Sequence, residues 1–223
     1  MTKEIEYKKI HIRLIGLVHY VQANGHIKWH IQKLRAKGFS EDLLGVLDIT
    51  LKALRNELLQ LCEEENPDLV VEEGGAYDKT PADRWKKNIY SGKTILEEKY
   101  GDKHIFVDAK MQRFLTIRIK PSTEKREKAF VRGLEEYLRK KSDVRNVAFI
   151  VGVNHLERVK IMLENKGFQV ETHNLSDKYY TDDLRRKIRE DAQRMRENAL
   201  KMREKKRKEK KEKKRPKWQL WRR

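Results

Sequence analysis

Two histidines in this chain stand three residues after a glycine in matching settings. Gly16-Leu17-Val18-His19 follows the apolar run Ile12-Arg13-Leu14-Ile15, and Gly152-Val153-Asn154-His155 follows Val147-Ala148-Phe149-Ile150-Val151. Each imidazole is therefore delivered just past a segment that reads as a buried strand. Between them in sequence, Leu69-Val70-Val71 runs into Glu72 and Glu73, and Ile105-Phe106-Val107 runs into Asp108. Two imidazoles and a carboxylate suffice for an open divalent-metal site, in which these ligand types suit Zn, Mn, Fe or Co and leave a position for water. Such an ion lowers the pKa of its water toward neutrality and polarises a carbonyl, giving hydrolysis without a covalent intermediate. Without a metal the same groups still serve, a carboxylate-supported histidine as general base and a neighbouring imidazole as the polarising group. The residues leave both chemistries open.

A third copy, Gly101-Asp102-Lys103-His104, precedes an apolar run instead of following one. It reads as a turn that enters a strand, outside the site. In the other two copies, Gly16 and Gly152 allow a sharp exit from the strand and a close approach by substrate or neighbouring backbone. Asn154, beside His155, joins Glu73 and Asp108 as a candidate pocket residue. His26 and His30 share a helix face at a metal-compatible spacing but lack the glutamate of the zinc-protease motif. His11 and His173 read as structural histidines.

The elements that must position these groups alternate. Strands are expected at 8–18, 68–71, 105–107, 147–151 and 168–172. Helices are expected from 19 to 37, from about Ser40 to Pro67, from about Pro81, from Ser122 to Lys141 and from Leu156 to Lys166. The second helix has the clearest periodicity, because Leu44, Leu47, Leu51, Leu54, Leu58 and Leu61 recur at spacings of three and four. That face must be buried, and Cys62 beside it reads as an inert core thiol. Strands alternating with helices, with runs too apolar for one-sided burial, predict an α/β fold: a mostly parallel central sheet flanked by helices. In such a sheet ligands bind beyond the carboxyl ends of the strands, where His19, Glu72, Glu73, Asp108, Asn154 and His155 all fall.

In these residues the chain resembles the TraB, Tiki, ChaN and erythromycin-esterase superfamily. The likeness lies in Leu14-Ile15-Gly16-Leu17-Val18-His19, in Pro67-Asp68-Leu69-Val70-Val71-Glu72 and in Phe149-Ile150-Val151-Gly152-Val153-Asn154-His155-Leu156. Ile105-Phe106-Val107-Asp108 is similar to a further strand-plus-aspartate, and the order of the motifs agrees over roughly residues 8–175. The resemblance implies paired histidines and a glutamate at one pocket, and for Tiki-like members a metal-dependent protease activity. By position, His19, Glu72 and His155 would be the metal-binding or catalytic groups, with Gly16 and Gly152 shaping the loops.

Charge divides the chain. Of its 223 residues, 53 are Lys or Arg against 35 Asp or Glu, and the excess is concentrated after residue 180. This predicts a TraB/Tiki-like α/β domain over 1–180 and a charged helical tail over 181–223. Leu184, Ile188, Ala192, Met195, Ala199 and Met202 form a stripe that suits packing on the body or a homodimer. Beyond it, Lys205, Lys206, Arg207, Lys210, Lys211, Lys213, Lys214 and Arg215 suit phosphate neutralisation, and Trp218 and Trp221 are available to stack on bases. A solvated charged helix and membrane-surface contact are the other readings of this tail. The single cysteine, the absence of an apolar stretch of about 18 to 20 residues, and the charged N-terminus predict a cytoplasmic chain without membrane insertion. The expected function is a metal-dependent hydrolase of peptide or ester bonds with an anion- or nucleic-acid-binding tail. The alternative is a non-catalytic nucleic-acid-associated or ligand-binding protein that retains the pocket.

Overall fold

The computed structural model describes residues 7–18, 21–22, 26–73, 94–107, 112–114, 117–119 and 122–213, the backbone alone at 112–114, 117–119 and 208–213. Its centre is a five-stranded, all-parallel sheet built from β1 (His11–Leu17), β2 (Leu69–Glu73), β3 (His104–Val107), β6 (Asn146–Gly152) and β7 (Gln169–Asn174), in the order β3-β2-β6-β1-β7. The α/β architecture is thus as the sequence predicts. A two-stranded antiparallel ribbon, β4 (Gln112–Phe114) and β5 (Ile117–Ile119), is an addition that the sequence pattern did not reveal.

The helices are α1 (His26–Ala36), α2 (Glu41–Glu65), α3 (Ile95–Tyr100), α4 (Thr123–Leu138), α5 (Leu156–Asn165), α6 (Leu175–Tyr179) and α7 (Asp182–Lys213). α2 begins where Glu41 and Asp42 meet the positive end of the helix dipole, and it ends at Asn66 in the left-handed conformation (φ 43°), just before Pro67. Leu44, Leu47, Leu51, Leu54 and Leu58 are buried as their spacing requires, while Leu61 is half-buried and Cys62 takes the last core position. Each buried leucine contributes about 1.5–3 kcal/mol by leaving water. α1 starts at His26, later than residue 19, and the helix expected from Pro81 is described only at Ile95–Tyr100.

The sheet divides two cores. On one face Leu14, Val71, Phe149 and Val151 pack with Phe130 and Leu134 of α4 and with Leu156 and Val159 of α5. On the other, Ile15, Leu17, Val70 and Ile150 pack with the α2 stripe, Ile27 and Ile31 of α1, and Leu96 of α3. β1 and β6 are adjacent and parallel, with Leu17 opposite Gly152. The chain leaves β1 toward the α1/α2 face and leaves β6 toward the α4/α5 face, the reversal at which open α/β sheets bind their ligands.

The tail helix is joined to the body. Leu184 is buried in the α2-side core with Ile188 against it, and Asp191 Oδ2 accepts hydrogen bonds from Ser40 N and Ser40 Oγ, both 2.8 Å. Past Met195 the helix is exposed through Arg207, including Ala199 and Met202. Among the described residues no helix is long and apolar enough to cross a membrane.

Candidate functional site at the strand ends

Adjacent residues of a strand point to opposite faces, and β2 is buried on both, so Glu72 and Glu73 enter different environments. Glu73 faces α4 and α5. Its Oε1 accepts from Arg126 Nη2 (2.6 Å), its Oε2 accepts from the backbone N–H of Gly152 (2.6 Å), and His155 Nε2 lies 3.5 Å from Oε1. His155 follows a short 3-10 turn (Val153–His155) and is nearly enclosed, with Phe130 meeting its ring edge to face at 5.4 Å. Its Nδ1 lies 2.9 Å from Glu127 Oε1 of α4. Since a carboxylate accepts, Nδ1 carries a hydrogen, and Nε2 is the ring nitrogen that faces Glu73. Glu127 is fully buried; its Oε2 makes no hydrogen bond and has Arg158 Nη1 at 3.6 Å.

Glu72 faces the other core, also fully buried. Gln22 Nε2 donates to its Oε1 (3.0 Å), and Thr94 Oγ1 and His104 Nε2 donate to its Oε2, the histidine at 2.7 Å. Ile95 N also donates to Gln22 O (2.9 Å), so Glu72 lies at a knot joining the turn after β1, the start of α3 and the start of β3. Its negative charge adds to burial in pushing the Cys62 thiol up to about 12, with burial the larger cause; that thiol stays protonated and inert at neutral pH.

Of the expected trio of His19, Glu72 and His155, the structure places the last two on opposite faces of the sheet. The carboxylate beside His155 is Glu73, and Glu72 is held on the opposite face by Gln22, Thr94 and His104. His19 and Asp108 lie outside the described residues. Asn154 is exposed. Gly152 contributes its N–H, and the hydrogen that replaces a side chain on Gly16 faces Leu156, where a Cβ would sit 3.0 Å from Cδ2. Gly16 therefore serves close packing of α5 on β1. Of the tail residues, Lys205, Lys206 and Arg207 are exposed, Lys210, Lys211 and Lys213 lie on the helical backbone of α7, and Lys214, Arg215, Trp218 and Trp221 lie outside the described residues.

The other histidines are accounted for structurally. His11 Nδ1 is 3.0 Å from Glu65, and His173 Nε2 is 2.9 Å from Glu171. His26 is buried in α1, and burial, with Lys33 and Lys37 nearby, lowers the pKa of His30 to about 4.

Three residues that matter here escaped the motif reading: Arg126, Glu127 and His104. Glu127 had a signal, because it falls in phase with Phe130, Leu134 and Leu138 on the buried face of α4, where a lone carboxylate needs a partner. His104 belongs to the third Gly-x-x-His copy, whose position before a strand gives no sign of a partner. That copy is a turn at the entry of β3, with Gly101 at φ 52°, and it brings its imidazole to Glu72.

Two donor atoms of one tetrahedral ion with bonds near 2.0–2.1 Å stand about 3.4 Å apart. The 3.5 Å between Glu73 Oε1 and His155 Nε2 fits that spacing, and the Glu127 contact to Nδ1 is the outer-shell support that metal-bound histidines have. Among the described residues no group of three or more metal-ligating side chains converges. Compared with family models, curated proteins and solved structures, the chain matches none.

Proposed function

We propose that the chain is a hydrolase of peptide or ester bonds whose centre lies where β2 and β6 end. The observation that carries this reading is the run Glu127–His155–Glu73, in which a buried carboxylate fixes the imidazole and leaves its Nε2 toward a second carboxylate. His155 is the proton acceptor, Glu127 orients it, and Arg126 with the Gly152 N–H holds Glu73 in place. The resemblance to the TraB/Tiki group adds a divalent cation, Mn, Co, Zn or Fe, which His155 Nε2 and Glu73 Oε1 would hold, with Glu73 in place of the Glu72 that the resemblance implies and His19 as a further ligand. When bound, such a cation polarises a scissile carbonyl and lowers the pKa of water. The protein is cytoplasmic in this reading. Its exposed basic helix recruits nucleic acid or another polyanion, and the Ala199–Met202 stretch of the stripe is available to a second copy.

Elemental analysis of the purified chain, with hydrolysis assays on peptide and ester pools, tests this. Wild type should retain about one equivalent of a transition metal, and His155→Ala and Glu73→Gln should lose both metal and turnover. If wild type holds no metal and neither variant differs from it in hydrolysis, the enzyme reading falls and the non-catalytic binding protein stands.

A further inference from the structure

A concave site lies in the groove between α1 and α2, beside the turn that follows β1. It has a volume of about 430 Å³ and is floored by Ile27 and Ile31. Four cations line it: Lys28 and Arg35 from α1, Lys52 and Arg55 from α2. They are there by helical spacing. Lys28 and Arg35 are seven residues apart and Lys52 and Arg55 three apart, so each pair shares one face, and the two faces oppose each other. α1 contains no acidic residue, and among the described residues Asp48 is the one acid lining the groove.

Lys52 pairs with Asp48 (2.5 Å), and Arg35 is held by Glu41 through two bonds, Nε at 2.7 Å and Nη2 at 2.8 Å, both pairs exposed. A dianionic phosphate competes well for such donors. Arg55 is more deeply placed: its Nε donates to Val21 O (2.9 Å), and burial lowers its pKa from the ordinary guanidinium value. A partly dehydrated cation beside an apolar floor is the setting in which an anion gains most from pairing.

We propose that this groove binds a nucleoside di- or triphosphate, the phosphates on Lys28, Arg35, Lys52 and Arg55 and the base on Ile27 and Ile31. The volume falls within the range of small-ligand sites, about 300–1,000 Å³. Four cations on two elements match a chain of phosphates, and the apolar floor matches a planar base.

Calorimetric titration of the full chain with ADP, adenosine and pyrophosphate tests the assignment. ADP should bind saturably, and the double variant Lys28→Glu/Lys52→Glu, both exposed positions, should weaken it by about tenfold or more, a change of 1.4 kcal/mol or greater. The charge-matched variant Lys205→Glu/Lys206→Glu, in the tail, should change it by less than about twofold. Equal loss from the tail variant would mean diffuse charge attraction and overturn the site. So would the absence of saturable ADP binding, adenosine binding as tightly as ADP, or pyrophosphate binding as tightly as ADP.

Discussion

His104 Nε2 donates to Glu72 Oε2 across 2.7 Å, in a setting where the histidine side chain is 2% exposed and the glutamate side chain not at all. That bond joins β3 to β2 on the face opposite His155. The strand-end carboxylates therefore divide into one that ties segments together and one that faces the candidate centre. Glu72→Ala would leave His104, Thr94 and Gln22 without their common acceptor in a buried space. It should destabilise the fold by about 3 kcal/mol, read as a lowered urea midpoint. His104→Ala should cost less, about 1–3 kcal/mol, because Glu72 keeps its other two donors. If both variants keep wild-type midpoints, Glu72 is not a structural knot.

Glu127 touches the candidate centre only through His155. Glu127→Gln preserves the shape of the side chain but can offer Nδ1 an amide nitrogen or a weaker acceptor, so the ring loses its fixed orientation. Turnover should fall by about 10–100-fold, with the pH–rate profile displaced, while the urea midpoint moves little. A parallel loss of activity and stability, with an unchanged pH profile, would make Glu127 a packing residue.

The sheet and the α2 stripe were legible because burial imposes a pattern: leucines three and four apart on α2, an unbroken apolar run in β6, and a β1 interrupted only by Arg13 between Ile12 and Leu17. The separation of Glu72 from Glu73 was not legible. β2 is buried on both faces, so no polar alternation marks which side chain points where, and register is fixed only by pairing with β6 and β3. Nor was the ribbon, whose strands Gln112-Arg113-Phe114 and Ile117-Arg118-Ile119 are three residues each and mix charge with apolar residues. Arg126 and Glu127 sit 53 and 28 residues along the chain from the partners they meet, and only folding shows the encounter.

Acid sensitivity should have a traceable source in α1. Burial, then the charges of Lys33 and Lys37, lowers His30 from 6.5 to about 4 in the folded chain. Between those values the unfolded chain takes up a proton that the folded chain refuses, so unfolding binds protons and stability falls as pH drops from about 6.5 to about 4. Above that window the histidine is neutral in both states and contributes nothing. His30→Gln should flatten this part of the stability curve, measured as denaturant midpoints at pH 7, 5.5 and 4.5. His30 is half-exposed, so solvent screening keeps the difference well below the ideal value for the shift. Identical pH curves for wild type and variant would remove His30 as the cause.

The tail offers the sharpest separation between charge and fold. Leu184 and Asp191 fasten the first turns of α7 to the body, whereas Lys201–Arg207 are exposed, so removal of residues 203–223 takes away basic residues without touching that attachment. Binding of a single-stranded oligonucleotide, followed by anisotropy, should weaken as salt rises, with a log–log slope of about −0.7 for each phosphate neutralised. Truncation should reduce the slope and the affinity together and leave the urea midpoint near wild type. Quenching of tryptophan emission on binding, lost in Trp218→Ala/Trp221→Ala, would add stacking to charge. A salt-independent affinity, or one that survives truncation, would place any nucleic-acid contact on the body instead.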